Sequence, residues 1–358
     1  METMQFNQTK AEKFADSMID IINKGSLALM TSIGHRVGLF DTLAKLPPST
    51  SIDIAEAADL NERYVREWLG AMVVGGFIDY DPAILKYSLP PEHAAFLTRD
   101  ATPDNTAVFT QYIPLLGSIE DRIINCFKNG GGVAYEEYGR FHQVMAEDSG
   151  QTVVPALVDS ILPLAPGLID DLKRGINVLD IGCGSGRAIN LMAGSFPRSR
   201  FWGYDISDDA IKNAGFQAKR EGLNNARFEQ VDMTTFDRDA EYDLITAFDA
   251  IHDQARPDLV LAGVAKALKP DGTFLMQDIA GSKHVQKNIE HPIGPFLYTI
   301  SCLHCMSVSL AQKDGAGLGT MWGEETALEM LKEAGFSKTE VKRLSHDFQN
   351  NFYINRKN

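Results

Sequence analysis

At 358 residues and 39.4 kDa the chain fits about two domains of ordinary size, and its 44% hydrophobic and 23% charged content excludes a disordered chain. Thirty-four basic against 48 acidic residues leave a net charge of −14, a field that repels phosphate backbones and anionic membrane surfaces, so neither a nucleic acid nor a membrane is expected as partner. The four cysteines, Cys126, Cys183, Cys302 and Cys305, are too few and too unevenly spaced for a disulfide framework. No basic segment leads into an apolar run near the N-terminus, and no stretch approaches ~20 uninterrupted apolar residues. A cytoplasmic protein is the expectation.

Three regions follow in chain order. Residues 1–100 carry short helical patterns: apolar helices over 19–22 and 27–40, a short helix in IDIAEAADL with Ser51 as its N-cap, and a helix over 61–74. In the last, Tyr64, Val65, Trp68, Leu69, Met72 and Val73 make one apolar stripe, ended by Gly75 and Gly76. Two β-like runs around Asp81 and Pro82 complete a helix, turn, helix, hairpin order, that of a winged helix. DNA readers normally present a basic face, yet this lobe holds nine Lys/Arg against fourteen Asp/Glu. It is read as a dimerisation and pocket-lid module. Residues 101–172 form a helical connector in which Gly130, Gly131 and Gly132 predict a flexible joint. From 173 to 358, β-like runs (NVLDI, RFWGYD, ARFEQV, YDLITAF, TFLMQDI) alternate with helical patterns, the mark of a parallel sheet covered on both faces. SKTEVKRL and NNFYINR predict a closing antiparallel hairpin.

The densest motif is Asp180-Ile181-Gly182-Cys183-Gly184-Ser185-Gly186, between a strand and a helix. Glycines there let the backbone turn sharply and approach a ligand at the carboxyl end of the strand. A dinucleotide fingerprint would need a glycine at 187, where the sequence has arginine, so an NAD-linked oxidoreductase is disfavoured. The loop suits a ligand with a cationic amino-acid head and no phosphate. Asp205, ending the second strand, can take both hydroxyls of a ribose. Asp232, ending the third and followed by Met233, suits an adenine amino group and its ring face.

VLDIGCGSG, with acids at three successive strand ends, resembles the class I S-adenosylmethionine-dependent methyltransferases. VGLFDTLAKLPPSTSIDIAEAADLNERYVREWLGAMVVGGFI resembles the N-terminal dimerisation lobe of the winged-helix small-molecule O-methyltransferases, so the resemblance spans nearly the full length. It implies an α/β fold, a Rossmann-like seven-stranded methyltransferase sheet with an N-terminal winged-helix domain. It further implies S-adenosyl-L-methionine as cofactor, a small-molecule methyl acceptor and a homodimer built through the N-terminal domain. The cofactor would be bound by Asp180, Gly182, Gly184, Gly186, Asp205, Ile206, Asp232, Met233 and the Phe248 backbone.

In the plant relatives a His-Asp-Trp triplet follows the fourth strand, and its histidine is the general base. Here the segment is His252-Asp253-Gln254, so His252 becomes the candidate base. Imidazole titrates near neutrality, and a neutral hydroxyl attacks better if its proton is taken as the bond forms. Asp278 falls where the family often has a glutamate that orients the ring; the second acidic partner falls near Met321, with Glu324 the nearest carboxylate. His252 could instead line the pocket or cap a loop. Phe141, His142, Met145, Tyr298, His304 and Trp322 are candidates for the acceptor pocket, with an interdomain core as the alternative reading. Cys302-Leu303-His304-Cys305 has the spacing of a metal half-site but no second pair to complete it, and no metal is expected. Two further functions stay open: methyl transfer to nitrogen or sulfur without a base, and a DNA-binding regulator that senses the cofactor.

Overall fold

In the computed structural model, which describes residues 6–357, the periodic segment of the N-terminal lobe becomes a helix over Glu62–Val74. Asn61 caps it by accepting from the Arg63 amide. The preceding helix, Ser51–Ala58, is capped by Thr50, one residue before the expected Ser51. The Thr50 hydroxyl accepts from the Asp53 amide while the Asp53 carboxylate accepts from the Thr50 amide, a reciprocal pair that satisfies two orphan donors together. Strands β1 (Asp79–Asp81) and β2 (Lys86–Ser88) pair antiparallel as the wing.

The two apolar helices expected upstream are largely one. A 29-residue helix runs from Gln8 to Arg36, through Gly25, and a short second one covers Leu39–Leu43. Near the end of the long helix the Trp68 ring lies so close to Gly34 that an added Cβ would sit 2.4 Å from it. The indole N–H of Trp68 donates to the Met30 carbonyl at 2.8 Å. Only glycine allows that packing.

The chain divides into two compact units, Met1–Gly117 and Ser118–Asn358. The residues between 101 and 172 are therefore shared, the first seventeen going with the winged helix and the rest with the sheet.

The second unit holds seven strands: β3 (Asn177–Ile181), β4 (Arg200–Asp205), β5 (Ala226–Gln230), β6 (Tyr242–Phe248), β7 (Leu268–Ile279), β8 (Lys338–Leu344) and β9 (Asp347–Arg356). Their order is β5-β4-β3-β6-β7-β9-β8, with β3 to β7 parallel and β9 antiparallel to both its neighbours. The five expected parallel strands and the closing hairpin are all present. The chain winds outward from β3 through β5, then returns to lay β6 on the other side of β3. That reversal opens a crevice at the carboxyl ends of β3 and β6, where open sheets of this kind take their ligands. Helices Arg187–Ser195, Asp208–Arg220 and Pro257–Ala267 connect the strands, and apolar cores lie on both faces. One helical run, Gly294–Ala311, is long and apolar enough over 18 residues to cross a membrane; half of it is buried in the protein, as in the core helix of a globular unit.

The triple glycine is not a free joint. Gly130 and Gly131 turn with positive φ, but a Cβ on Gly132 would stand 1.8 Å from the Ser307 carbonyl oxygen, and the Val133 amide donates to the Ser307 hydroxyl. The segment is docked backbone to backbone on the helical run around Ser307.

Candidate active site

Asp205 ends β4 and Asp278 lies one residue before the end of β7, while Asp232 and His252 follow β5 and β6 at the same edge of the sheet. Gly182, Gly184 and Gly186 all have positive φ, which folds the loop after β3 back over the edge. A side chain on Gly182 would strike Ala250 and one on Gly186 would strike Ala214, whereas a Cβ on Gly184 would meet nothing within 4 Å. The loop is thus packed from beneath and open above Gly184.

Asp205 closes on it from β4. One carboxylate oxygen accepts from the Gly184 amide at 2.8 Å and the other from the Ser207 amide at 2.8 Å. A carboxylate offers about four lone-pair sites, so one remains on each oxygen for a diol. Asp180, by contrast, points into the sheet: it is buried, accepts from the Thr246 hydroxyl at 2.7 Å, and burial pushes its carboxyl up to about 7. It ties β3 to β6.

Asp232 is exposed and caps the turn Met233–Thr235, accepting from the Thr234 amide and hydroxyl at 2.9 and 2.7 Å. Met233 is buried beside it, Ile206 is half exposed, and Phe248 is half-buried at the end of β6.

His252 follows β6 and Asp278 lies within β7, one residue before its end. The His252 Nδ1–H donates to Asp278 Oδ1 at 2.8 Å. The same oxygen accepts from the Ile279 amide at 2.8 Å and the Trp322 indole at 3.0 Å. Since a carboxylate only accepts, the proton on this edge of the ring belongs to Nδ1, which turns Nε2 away from Asp278. Both side chains are buried, at 3% and 0% exposure. Burial alone would favour the neutral imidazole. The Asp278 carboxylate, then Cys305, outweigh it and hold the ring well above the usual histidine range.

Trp322 therefore stands in the core behind Asp278 and orients it, rather than lining a pocket wall. Glu324 is engaged elsewhere, accepting from Arg343 and Asn351, so no second acid serves His252 from that segment. Gln254 donates to the Ala250 carbonyl.

The other pocket candidates separate into two groups. Phe141, His142 and His304 come together: Phe141 and His304 stack at 3.5 Å between ring centroids, and Tyr135 joins His142 at 4.8 Å and His304 at 5.4 Å. Met145 is half-buried one turn along from Phe141. Tyr298 stands apart, 38% exposed, with its hydroxyl accepting from Asn288.

Tyr135, Asp253 and Cys305 were not singled out by the sequence reading as members of this site. Burial raises the Tyr135 phenol well above its usual range, with Asp253, Asp205 and Cys305 adding to it. Burial also lifts Asp253 to about 6. Adjacency to His252 marked Asp253, and the CLHC run marked Cys305, but nothing local marked Tyr135. Among the described residues no group of three or more His, Cys, Asp or Glu is arranged to hold a metal ion.

Comparison with known proteins agrees with this architecture. Residues 25–99 match the Rv2258c-like winged HTH domain, and residues 172–335 match a methyltransferase domain family. The chain carries a winged helix-turn-helix domain followed by a methyltransferase domain. Cyclopropane-fatty-acyl-phospholipid synthase of Escherichia coli (strain K12) is 32% identical over 140 residues, 37% of this chain and 33% of that protein. Fatty-acid O-methyltransferase of Mycolicibacterium smegmatis is 30% identical over 106 residues, 29% of this chain and 38% of that protein. The chain thus spans about a third of the length of these curated relatives. Human N-acetylserotonin methyltransferase, solved in complex with SAM, superposes with a TM-score of 0.71 at 16% identity, covering 99% of each chain; the likeness is one of fold.

Proposed function

We propose that the protein is an S-adenosyl-L-methionine-dependent methyltransferase that methylates a hydroxyl of a small organic acceptor, with His252 as general base. The residues at the crevice fit the cofactor. The space above Gly184 is open, and Asp205 keeps one lone pair per oxygen for two ribose hydroxyls. Met233 supplies an apolar surface next to the Asp232 carboxylate for a base and its amino group. When bound, S-adenosyl-L-methionine supplies a methyl group on a cationic sulfur that takes the bonding pair as it leaves.

The observation that carries the reading is the His252–Asp278 pair beside that crevice. Asp278 fixes the tautomer and orientation of the ring, as the acid does in other base-orienting dyads. His252 Nε2 then accepts the hydroxyl proton as the new oxygen–carbon bond forms, and the resulting imidazolium is held by Asp278. An aromatic wall of Tyr135, Phe141, His142 and His304 supports a compact organic acceptor.

The test is incubation of the purified protein with methyl-labelled S-adenosyl-L-methionine and a metabolite extract. Label recovered on an oxygen of a small product is expected. Cofactor hydrolysis without transfer, or label on protein or DNA, would reject the reading.

We infer a homodimer as well. On the long helix, Phe14, Met18, Ile22, Leu29 and Ile33 recur at helical spacing yet lie exposed, Phe14 and Ile22 at 66% and 64%. A second copy laying its own stripe against this one would remove both from water.

A further inference from the structure

His304 lies in a single five-residue π-turn, Ser301–Cys305, set between the helices Gly294–Ile300 and Met306–Ala311. Such turns bulge a helix and concentrate at functional sites. The ring is 1% exposed, stacked on Phe141 at an interplanar angle of 7° and met edge-on by Tyr138 at 4.6 Å. Neither of its nitrogens has a hydrogen-bond partner. The nearby Tyr138 spends its hydroxyl proton on the Leu303 carbonyl, so it donates to neither nitrogen. A neutral imidazole carries one donor and one acceptor, and leaving both unmet inside the protein is costly unless something arrives to meet them. Burial, reinforced by His252 and His142, holds this ring well below the usual histidine range, so it stays neutral.

The surroundings are acidic. The charged groups acting on Tyr135, His142, His252 and Cys305 are the carboxylates Asp205, Asp209, Asp253 and Asp278 together with histidine and cysteine; no lysine or arginine is among them. No lysine or arginine among the described residues pairs with Asp205, Asp253 or Asp278 within 4 Å. A carboxylate acceptor entering here would face Asp205, Asp253 and Asp278 with no lysine or arginine paired to them, and the His252 ring is already engaged by Asp278. Being already ionised, such an acceptor would also have no proton for His252 to remove.

We propose that the site takes an uncharged acceptor bearing a second hydrogen-bonding group next to the reacting hydroxyl, that His304 is the residue that reads this second group, and that carboxylic acids are rejected. The proposal rests on the hydroxyl-methylation reading above. It sets this chain apart from the acid substrate named for its fatty-acid O-methyltransferase relative.

Equilibrium binding by calorimetry tests it, using the full chain saturated with S-adenosyl-L-homocysteine and three probes: 1,2-dihydroxybenzene, phenol and benzoate. The diol is expected to bind at least ~10-fold more tightly than phenol, and benzoate not measurably, since a site built around a polar group discriminates by leaving its own groups unpaired. His304→Leu removes the preference of diol over phenol, and His304→Gln, which keeps a donor and an acceptor, restores part of it. Should the leucine variant fail to fold, the wild-type ratios and the glutamine variant decide. Equal affinity for diol and phenol, binding of benzoate as tight as either, or binding of none of the three overturns the proposal. Labelled methyl transfer run in parallel separates the two readings: the binding preference without any transfer to oxygen rejects the proposed reaction and leaves the selectivity standing.

Discussion

His252 is held by a charge on one side of its ring, and its titration follows from that. Burial penalises the imidazolium, but Asp278 and Cys305 together favour it, so the native ring is held above the usual histidine range. Base catalysis needs the neutral form, so kcat/KM is expected to climb as pH rises past neutrality, the limb reporting His252. Asp278→Asn removes the charge and moves that limb to lower pH; a pH profile that ignores the substitution rules out the dyad. The same linkage acts on the fold. A raised native value contributes stability that is complete below about 6.5 and is lost as pH climbs through the native value, which thermal unfolding across alkaline pH measures. His252→Gln is expected to lower turnover by ~10²- to 10⁴-fold with cofactor affinity unchanged in calorimetry. Asp205→Ala has the opposite signature: two amides lose their acceptor and the sugar its grip, so cofactor affinity falls about 10- to 100-fold, equivalent to the ~1.5–3 kcal/mol of a bond to a charged group. The sequence disclosed these two residues because strand-end positions are fixed by the sheet. It did not disclose that Trp322 serves Asp278, since a tryptophan reads alike as core or as pocket wall until its N–H is placed.

At the level of elements, periodic segments were legible and crossings were not. The parallel strands β3, β6 and β7 were marked by their apolar runs, and the Glu62–Val74 helix by its stripe, because a period depends only on residues near each other in the chain. Helices over 19–22 and 27–40 were expected as separate, yet one helix passes through Gly25 between them, since a single exposed glycine costs only ~1 kcal/mol against alanine. The run Gly130 to Gly132 read as a hinge because its partner, Ser307, is 175 residues from Gly132 and leaves no local trace. Gly132→Ala tests the docked crossing. With 1.8 Å between the new Cβ and a carbonyl oxygen, one backbone must move; we expect ~1–3 kcal/mol of destabilisation and a fall in Tm of about 2–4 °C for each kcal/mol. An unchanged Tm would mean the crossing is loose. The acceptor wall is a second case: Tyr135 reaches His304 across 169 residues of chain, so no pattern near Tyr135 announces it.

For the whole molecule, the acidic lobe and the exposed stripe on its long helix argue for one use of the winged helix over another. Ile22→Asp puts a charge in the middle of the stripe, and light scattering is expected to report half the wild-type mass while the helical circular dichroism persists. An unaltered mass would place the dimer elsewhere or dismiss it. The fold class was readable because alternation of strand and helix admits few sheet topologies, whereas the division of the chain at Gly117 depends on which surfaces bury one another. One property of the sheet reaches further. Its segment nearest the end of the chain, β9, is not a border strand but is wedged between β7 and β8, and it supplies β7 with six paired residues. Losing residues 347–356 would therefore do more than shorten a hairpin. It would strip β7 of a neighbour and bare a row of amides and carbonyls in a strand rich in Phe, Leu, Met and Ile, an invitation to self-association. Clipping or tagging close to Asp347 is thus expected to send the protein into insoluble material rather than yield a trimmed enzyme.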